Sequence, residues 1–189
     1  MPEYRNPQHE MQGVSFEQLC DEICTTLTAG SLWHERAAIY MYDYGLRGFG
    51  QLNCHNSIHD HCKKLCLEKL LVDRIDHIPT LDMNIIAKAA DYSMSGAAQL
   101  KDYLKSYIHR EMDFTKVLNE AVRMSTTIDM EIYSELCCIL SGVQEEIFRV
   151  KQIYERLELG GWSGHDIMVV SRLLHKHHES HDNMDYTLS

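Results

Sequence analysis

The chain has 189 residues, enough for one domain with a core of its own, and at 44% apolar and 24% charged it has an ordinary globular composition. A formal net charge of −10 argues against non-specific nucleic-acid binding, which needs a basic patch to displace counterions from phosphate. No apolar run approaches the ~20 residues of a membrane span, and the opening "MPEYRNPQHEMQG" lacks the basic-then-apolar layout of a signal peptide.

In chain order, residues 1–14 read as a polar arm. A first helix is predicted from about Ser15 to Tyr44, with Ser15 as N-cap and Phe16, Leu19, Ile23, Leu27, Ala37 and Met41 on one stripe. The glycines of "GLRGFG" (Gly45, Gly48, Gly50) are expected to break it, and a second helix to run from Leu52 to Asp76, short of Pro79. A third spans about Gly96 to Ser125, with Leu100, Leu104, Ile108, Leu118 and Val122 in phase. A fourth spans Asp129 to Leu159 and is closed by Gly160-Gly161. A short fifth piece, Gly164 to His178, carries Ile167, Val170, Leu173 and Leu174, and residues 179–189 read as a polar tail. Nothing after Pro79 is proline, as long helices require. Two pairs of long helices, a tight first turn and a long link over 77–95 describe an all-α four-helix bundle, residues 15–178. The link's "LDMNIIAKAADYSM" has room for a short helix.

Bundle cores build metal sites from inward carboxylates and imidazoles on facing helices, so ionisable residues in phase with an apolar stripe are the informative ones. On the third helix the stripe 104, 108, 111, 115, 118 lands on Glu111; on the fourth, 139, 143, 146, 150, 153 lands on Glu146. On the second, "HNSIHDHCKKLCLE" places His61 on the stripe 54, 58, 61, 65, 72, with Asp60 as its rival and His55 and His59 towards the flank. On the first, His34 and Glu35 straddle the inward edge. Buried together, such groups are costly unless they share protons or a cation.

At these residues the chain resembles the ferritin-like superfamily of ferritins, bacterioferritins and DNA-protecting mini-ferritins, over about residues 16–159. "HERAAIYMY", with Glu35 followed by Tyr40 and Tyr42, resembles the family's first carboxylate ligand and its tyrosines. "HNSIHDHCKKLCLEKLLVDRIDHIP" resembles the second helix entering the crossover, and "REMDFTKVLNEAV" the third helix with Glu111 as ligand. The resemblance implies a ferritin-like bundle with a long crossover between its second and third helices and a short C-terminal fifth helix. It also implies a cytoplasmic homo-oligomer that binds iron, or another divalent metal such as manganese or zinc, for ferrous oxidation and storage. The metal ligands it implies are Glu35, Asp60, His61, Glu111 and Glu146.

The sequence departs from the family where two E-x-x-H pairs are expected. Asp60 and His61 are followed three residues later by Lys63 and Lys64, and Glu145 and Glu146 by Phe148 and Arg149. Those departures support a second reading, a catalytically inactive structural or protein-interaction bundle. In it Lys63 or Lys64 and Arg149 form buried ion pairs with Glu35, Glu111 or Glu146 in place of a metal.

Seven cysteines, an odd number, fit reduced thiols better than a disulfide framework. Cys20/Cys24 and Cys62/Cys66 each lie one helical turn apart; core packing is the expectation, a soft-metal pair the alternative. The run "HKHHESHD" (His175, His177, His178, His181) either binds metal weakly, titrates as a switch, or caps the last helix.

Overall fold

The structure, a computed structural model, describes residues 13–185, with side chains through residue 176. Among these residues there are six α-helices, one 3-10 turn and no strand. They are α1 (Phe16–Asp43), α2 (Arg47–Ile75), α3 (Met83–Ala90), α4 (Leu100–Ser125), α5 (Met130–Leu159) and α6 (Gly164–Asp185), with the 3-10 turn at Ala97–Gln99 leading into α4. Helices α1, α2, α4 and α5 form the bundle, α3 lies on α1 within the crossover, and α6 packs mainly on α2.

Helix α1 begins at a capping box, in which Ser15 and Gln18 each bond the other's backbone N–H. Asp82 and Asp129 cap α3 and α5 by accepting from the second and third N–H of each helix. The crossover is pinned rather than loose: Asp21 accepts from the Thr80 N–H at 2.9 Å and from His77 Nε2 at 2.8 Å, and Thr25 accepts from the Asp82 N–H at 3.0 Å.

Two boundaries differ most from the sequence expectation. Helix α2 starts at Arg47, running straight through Gly48 and Gly50; Gly45 alone, at φ +73°, makes the turn. The other two glycines serve close packing instead. A Cβ on Gly48 would fall 1.8 Å from the Ser171 carbonyl oxygen of α6, and one on Gly50 would fall 2.8 Å from the Tyr42 ring. Helix α6 continues to Asp185, past the expected end at His178. The expected arm, 1–14, falls largely outside the described residues, and the first part of the expected tail, through Asp185, belongs to α6.

The apolar core is split in two. Phe16, Leu19, Ile23 and Leu27 meet Leu67, Leu71, Phe114, Leu118, Ile132 and Ile139 in one half. Ala37, Met41, Phe49 and Leu52 meet Leu100, Leu104, Val150, Ile153 and Leu157 in the other, beneath Ile167 and Val170 of α6. On all four bundle helices the gap between these halves is filled by buried polar side chains: His34, then Asn53, Asn56 and Asp60, then Glu111, then Glu146.

Gly48→Ala tests the seating of α6. Helix propensity favours alanine by about 1 kcal/mol, whereas overpacking against backbone costs about 1–3 kcal/mol. The expected result is a lower Tm and faster hydrogen exchange in α6, with a smaller loss in Gly45→Ala, where no atom lies within 4 Å of the new Cβ.

Candidate functional site

The waist of the bundle holds three carboxyl groups at one level, Asp60, Glu111 and Glu146, exposed by only 7%, 6% and 7%. Two cations reach in to meet them. Arg110 bonds Glu111 Oε1 through Nε at 2.9 Å and Nη2 at 2.5 Å, and the same Nη2 donates to His34 Nε2 at 2.8 Å. Lys63 Nζ lies 3.2 Å from Glu146 Oε1 and 3.8 Å from Asp60 Oδ1. The guanidinium also stacks over Trp33, 4.3 Å from its centroid, and lies 5.4 Å from that of Tyr107. Burial opposes its charge, but Glu111 and Asp60 outweigh that and raise its pKa.

The hydrogen-bond directions are fixed around this centre. His34 Nε2 accepts from Arg110, so we assign the ring proton to Nδ1, which donates to Asn53 Oδ1 at 2.7 Å. Burial, then the adjacent guanidinium, holds the His34 pKa well below its ordinary 6.5 and keeps the ring neutral. Tyr103 donates to the same Asn53 oxygen, while Asn53 Nδ2 donates to the Phe49 carbonyl at 2.9 Å. On the far side Asn56 Nδ2 donates to the Tyr107 hydroxyl at 2.5 Å, which donates to Glu146 Oε2 at 3.4 Å.

Asp60 carries the third carboxyl. Burial, reinforced by Glu111 and Glu146, raises its pKa well above the ordinary 3.8, against the pull of Arg110 and Lys63. It fits only because its neighbour on α1 is Gly30, where a Cβ would lie 2.5 Å from Asp60 Oδ2. Glu111 faces Arg110 and Glu146 faces Lys63, an acid against a base on each side.

Of the five ligands expected from sequence, Asp60, Glu111 and Glu146 come together at this level. Glu35 and His61 do not: both are exposed, one residue past the inward positions taken by His34 and Asp60. The register slipped because α2 carries apolar residues on both faces. Ile58, Leu65 and Val72, which marked the expected inward stripe, are 64%, 48% and 43% exposed, and the inward stripe is Asn53, Asn56, Asp60, Leu67 and Leu71. Cys62 and Cys66, expected in the core, lie on that outer face, whereas Cys20 and Cys24 are buried and burial pushes the Cys24 thiol up to about 12. Arg149, expected as an internal cation, is exposed on α5, and Lys64 pairs with Glu68 at 3.0 Å. The internal cation is Arg110, which sequence reasoning left unread because a long side chain can curl inward from a helix flank. His175 bonds Gln51 at 2.6 Å; the side chains of His177, His178 and His181 lie outside the described residues.

No family model matches the sequence, and no curated protein matches it. Among solved structures, the open pore ferritin of the hyperthermophilic archaeon Archaeoglobus fulgidus superposes with a TM-score of 0.70 at 17% identity, over 86% of this chain and 97% of that one. An iron-soaked variant of PmFTN superposes with a TM-score of 0.69 at 13% identity, over 84% of this chain and 98% of that one. The chain has the ferritin-like fold. Likeness at such identity reaches the path of the helices and stops short of the chemistry between them.

The ferritin-like fold raises the question whether these residues fit a divalent metal, and the donor set answers it. Among the described residues no three His, Cys, Asp or Glu side chains are arranged to hold a metal ion. The one buried imidazole spends its lone pair on Arg110, and Glu111 and Glu146 are each bonded to a cation. The set does not fit a divalent metal.

The pH dependence of stability follows from two opposed groups. The raised pKa of Asp60 gives stability that is full below its unfolded pKa, near 3.8, and is lost as pH rises through the folded value. The lowered pKa of His34 gives stability present above 6.5 and lost as pH falls through its folded value. Asp60→Asn should therefore gain on the parent in Tm as pH rises above about 4, until the folded pKa of Asp60 is passed; parallel curves would refute the assignment.

Proposed function

We propose that this protein is a ferritin-like bundle in which Arg110 and Lys63 stand where a central metal would, and that it acts as a structural or protein-interaction unit rather than as a catalyst of ferrous oxidation. One observation carries the reading: a single nitrogen of Arg110 bonds both the inward histidine and the inward glutamate. The two most ligand-like groups of the waist are thereby committed to a tethered cation. The ionic ties between helices are then internal to the chain, and folding needs no metal supply.

Self-association as a homo-oligomer belongs to this reading. Ile58, Leu65 and Val72 leave apolar surface along the outer face of α2, of the kind that contacts between chains cover. A cytoplasmic site of action is supported by seven free cysteines. Among the described residues no helix is long and apolar enough to cross a membrane.

The competing reading takes iron, or manganese or zinc, as bound metal and iron as cargo for storage. It is favoured by the likeness to ferritins and by three carboxyl groups at one level. Elemental analysis separates the two. Protein purified without chelators and then loaded aerobically with ferrous iron should retain less than about a tenth of a metal per chain at the waist. Stoichiometric iron that disappears in Glu111→Ala would establish the competing reading instead.

Arg110→Ala gives the complementary test. It leaves Glu111 buried and unpaired and should cost about 3 kcal/mol, read from the denaturant midpoint. Millimolar Mn2+ should restore part of that loss in the variant and add nothing to the parent. A variant as stable as the parent would dismiss the ion-pair account.

A further inference from the structure

The structure sorts the seven cysteines by what can reach them. Cys20 and Cys24 lie one turn apart on α1, but both are buried. Burial pushes the Cys20 thiol up and the Cys24 thiol up to about 12, which withholds their thiolates from an ion near neutral pH. Cys54 is half-buried, with the Tyr42 hydroxyl 3.8 Å from its Sγ. Cys137 and Cys138 are adjacent on α5 and so point about 100° apart around its axis. Only Cys62 and Cys66 combine exposure with a spacing of one turn.

Two exposed thiols side by side depart from the habit of cysteine, which is among the most buried residue types. The core does not use them. Asp60, Leu67 and Leu71 are the inward residues of this stretch, and Lys63 reaches Glu146 from beside them.

We propose that Cys62 and Cys66 form a surface site for a soft monovalent cation, Cu+, held between two thiolates in linear two-coordination. Binding is a ligand exchange without electron transfer. Each S–H gives its proton to solvent and two Cu–S bonds form, so one Cu+ and two thiols become a bis-thiolate of charge −1 with release of two protons. Side chains at i and i+4 share a helix face, with Cβ atoms about 5–6 Å apart. Two metal–sulfur bonds of about 2.3 Å set end to end place the sulfurs about 4.6 Å apart, a span that fits that frame.

The ion follows from the ligand type and the ligand count. Thiolates select soft ions, Cu+ among them. A structural Zn2+ takes four protein ligands, and among the described residues no three His, Cys, Asp or Glu are placed to hold one ion. A linear ion needs only the pair. At about 100° per residue, Cys62 and Cys66 are turned about 60° and 100° around α2 from Leu65. They flank the apolar stripe of Ile58, Leu65 and Val72, so self-association through that stripe leaves them at its margin. The waist carboxylates take no part, and the site stands or falls independently of the function proposed above.

The test is anaerobic titration of the full chain with Cu+ against bicinchoninate, a chromogenic competitor, for the parent, Cys62→Ser, Cys66→Ser, the double variant and Cys138→Ser. The remaining cysteines and the histidines are common to parent and double variant, so what they bind cancels in the difference. Both α2 substitutions are on the surface and should leave the far-ultraviolet circular dichroism unchanged. The parent should retain one Cu+ more than the double variant. Each single α2 variant should hold that equivalent at least about tenfold more weakly, and Cys138→Ser should match the parent. Retention should strengthen as pH rises, because binding releases protons. Equal stoichiometry and affinity in parent and double variant would overturn the site. Loss of the same equivalent in Cys138→Ser would overturn a site built from one helix. Neither result would touch the waist, whose metal content is read with iron.

Discussion

The structure depends on the cost of burying carboxyl groups where four helices meet. Asp60, Glu111 and Glu146 are all nearly inaccessible, and stranding any one of them as an unpaired anion would cost more than burying a neighbouring leucine returns. The other features of the waist follow from that. Arg110 and Lys63 must turn inward, although both begin on helix flanks. Position 30 must be glycine so that Asp60 has space, and His34 must remain neutral with its lone pair directed at the guanidinium. The aromatic rings of Trp33, Tyr103 and Tyr107 then close over the charges, Trp33 stacking on Tyr103 at 4.6 Å. The polar layer also separates the two apolar halves of the core and ties all four helices at one level. A slip of one helix by a residue would break several charge-assisted bonds at once, so the layer holds the register as well as the charge.

The chain shares the path of its helices with the solved ferritins, and between its own helices lie the ion pairs of Arg110 with Glu111 and of Lys63 with Glu146. A fold likeness at 17% identity is what conserved core volumes and helix crossings produce, and it is indifferent to whether a cation at the waist is an ion or a side chain. A guanidinium offers donors in a fixed plane and cannot be deprotonated, so it satisfies a carboxylate permanently. A metal exchanges with solvent and changes its oxidation state. On the reading proposed above, a guanidinium in place of a metal trades reactivity for a constant electrostatic tie.

The outer surface follows different rules from the waist. Helix α6 lies against α2 through Gly48 and Ser171, with the Gly48 N–H donating to Ser171 Oγ at 3.1 Å. Further along α2, imidazoles, thiols and aliphatic side chains alternate on the face turned to solvent. That mixture is what made α2 hard to phase, and it is also where His55 and His59 stand in contact.

The sequence by itself determined the helical architecture. Stripes at a 3.6-residue period, Ser15 and Asp129 at helix starts and the absence of proline after Pro79 each act locally, so they are legible one segment at a time. Glu111 and Glu146 were also legible, because α4 and α5 are cleanly amphipathic and their registers are unambiguous. The tertiary structure alone decided the rest. On α2 apolar residues occupy both faces, so only packing against α1 chose Asp60 over His61, and on α1 it chose His34 over Glu35. It alone brought Arg110 to His34, a partner 76 positions away in the chain, because the inward turn of a long flexible cation is set by the charges it meets and by no property of its own segment.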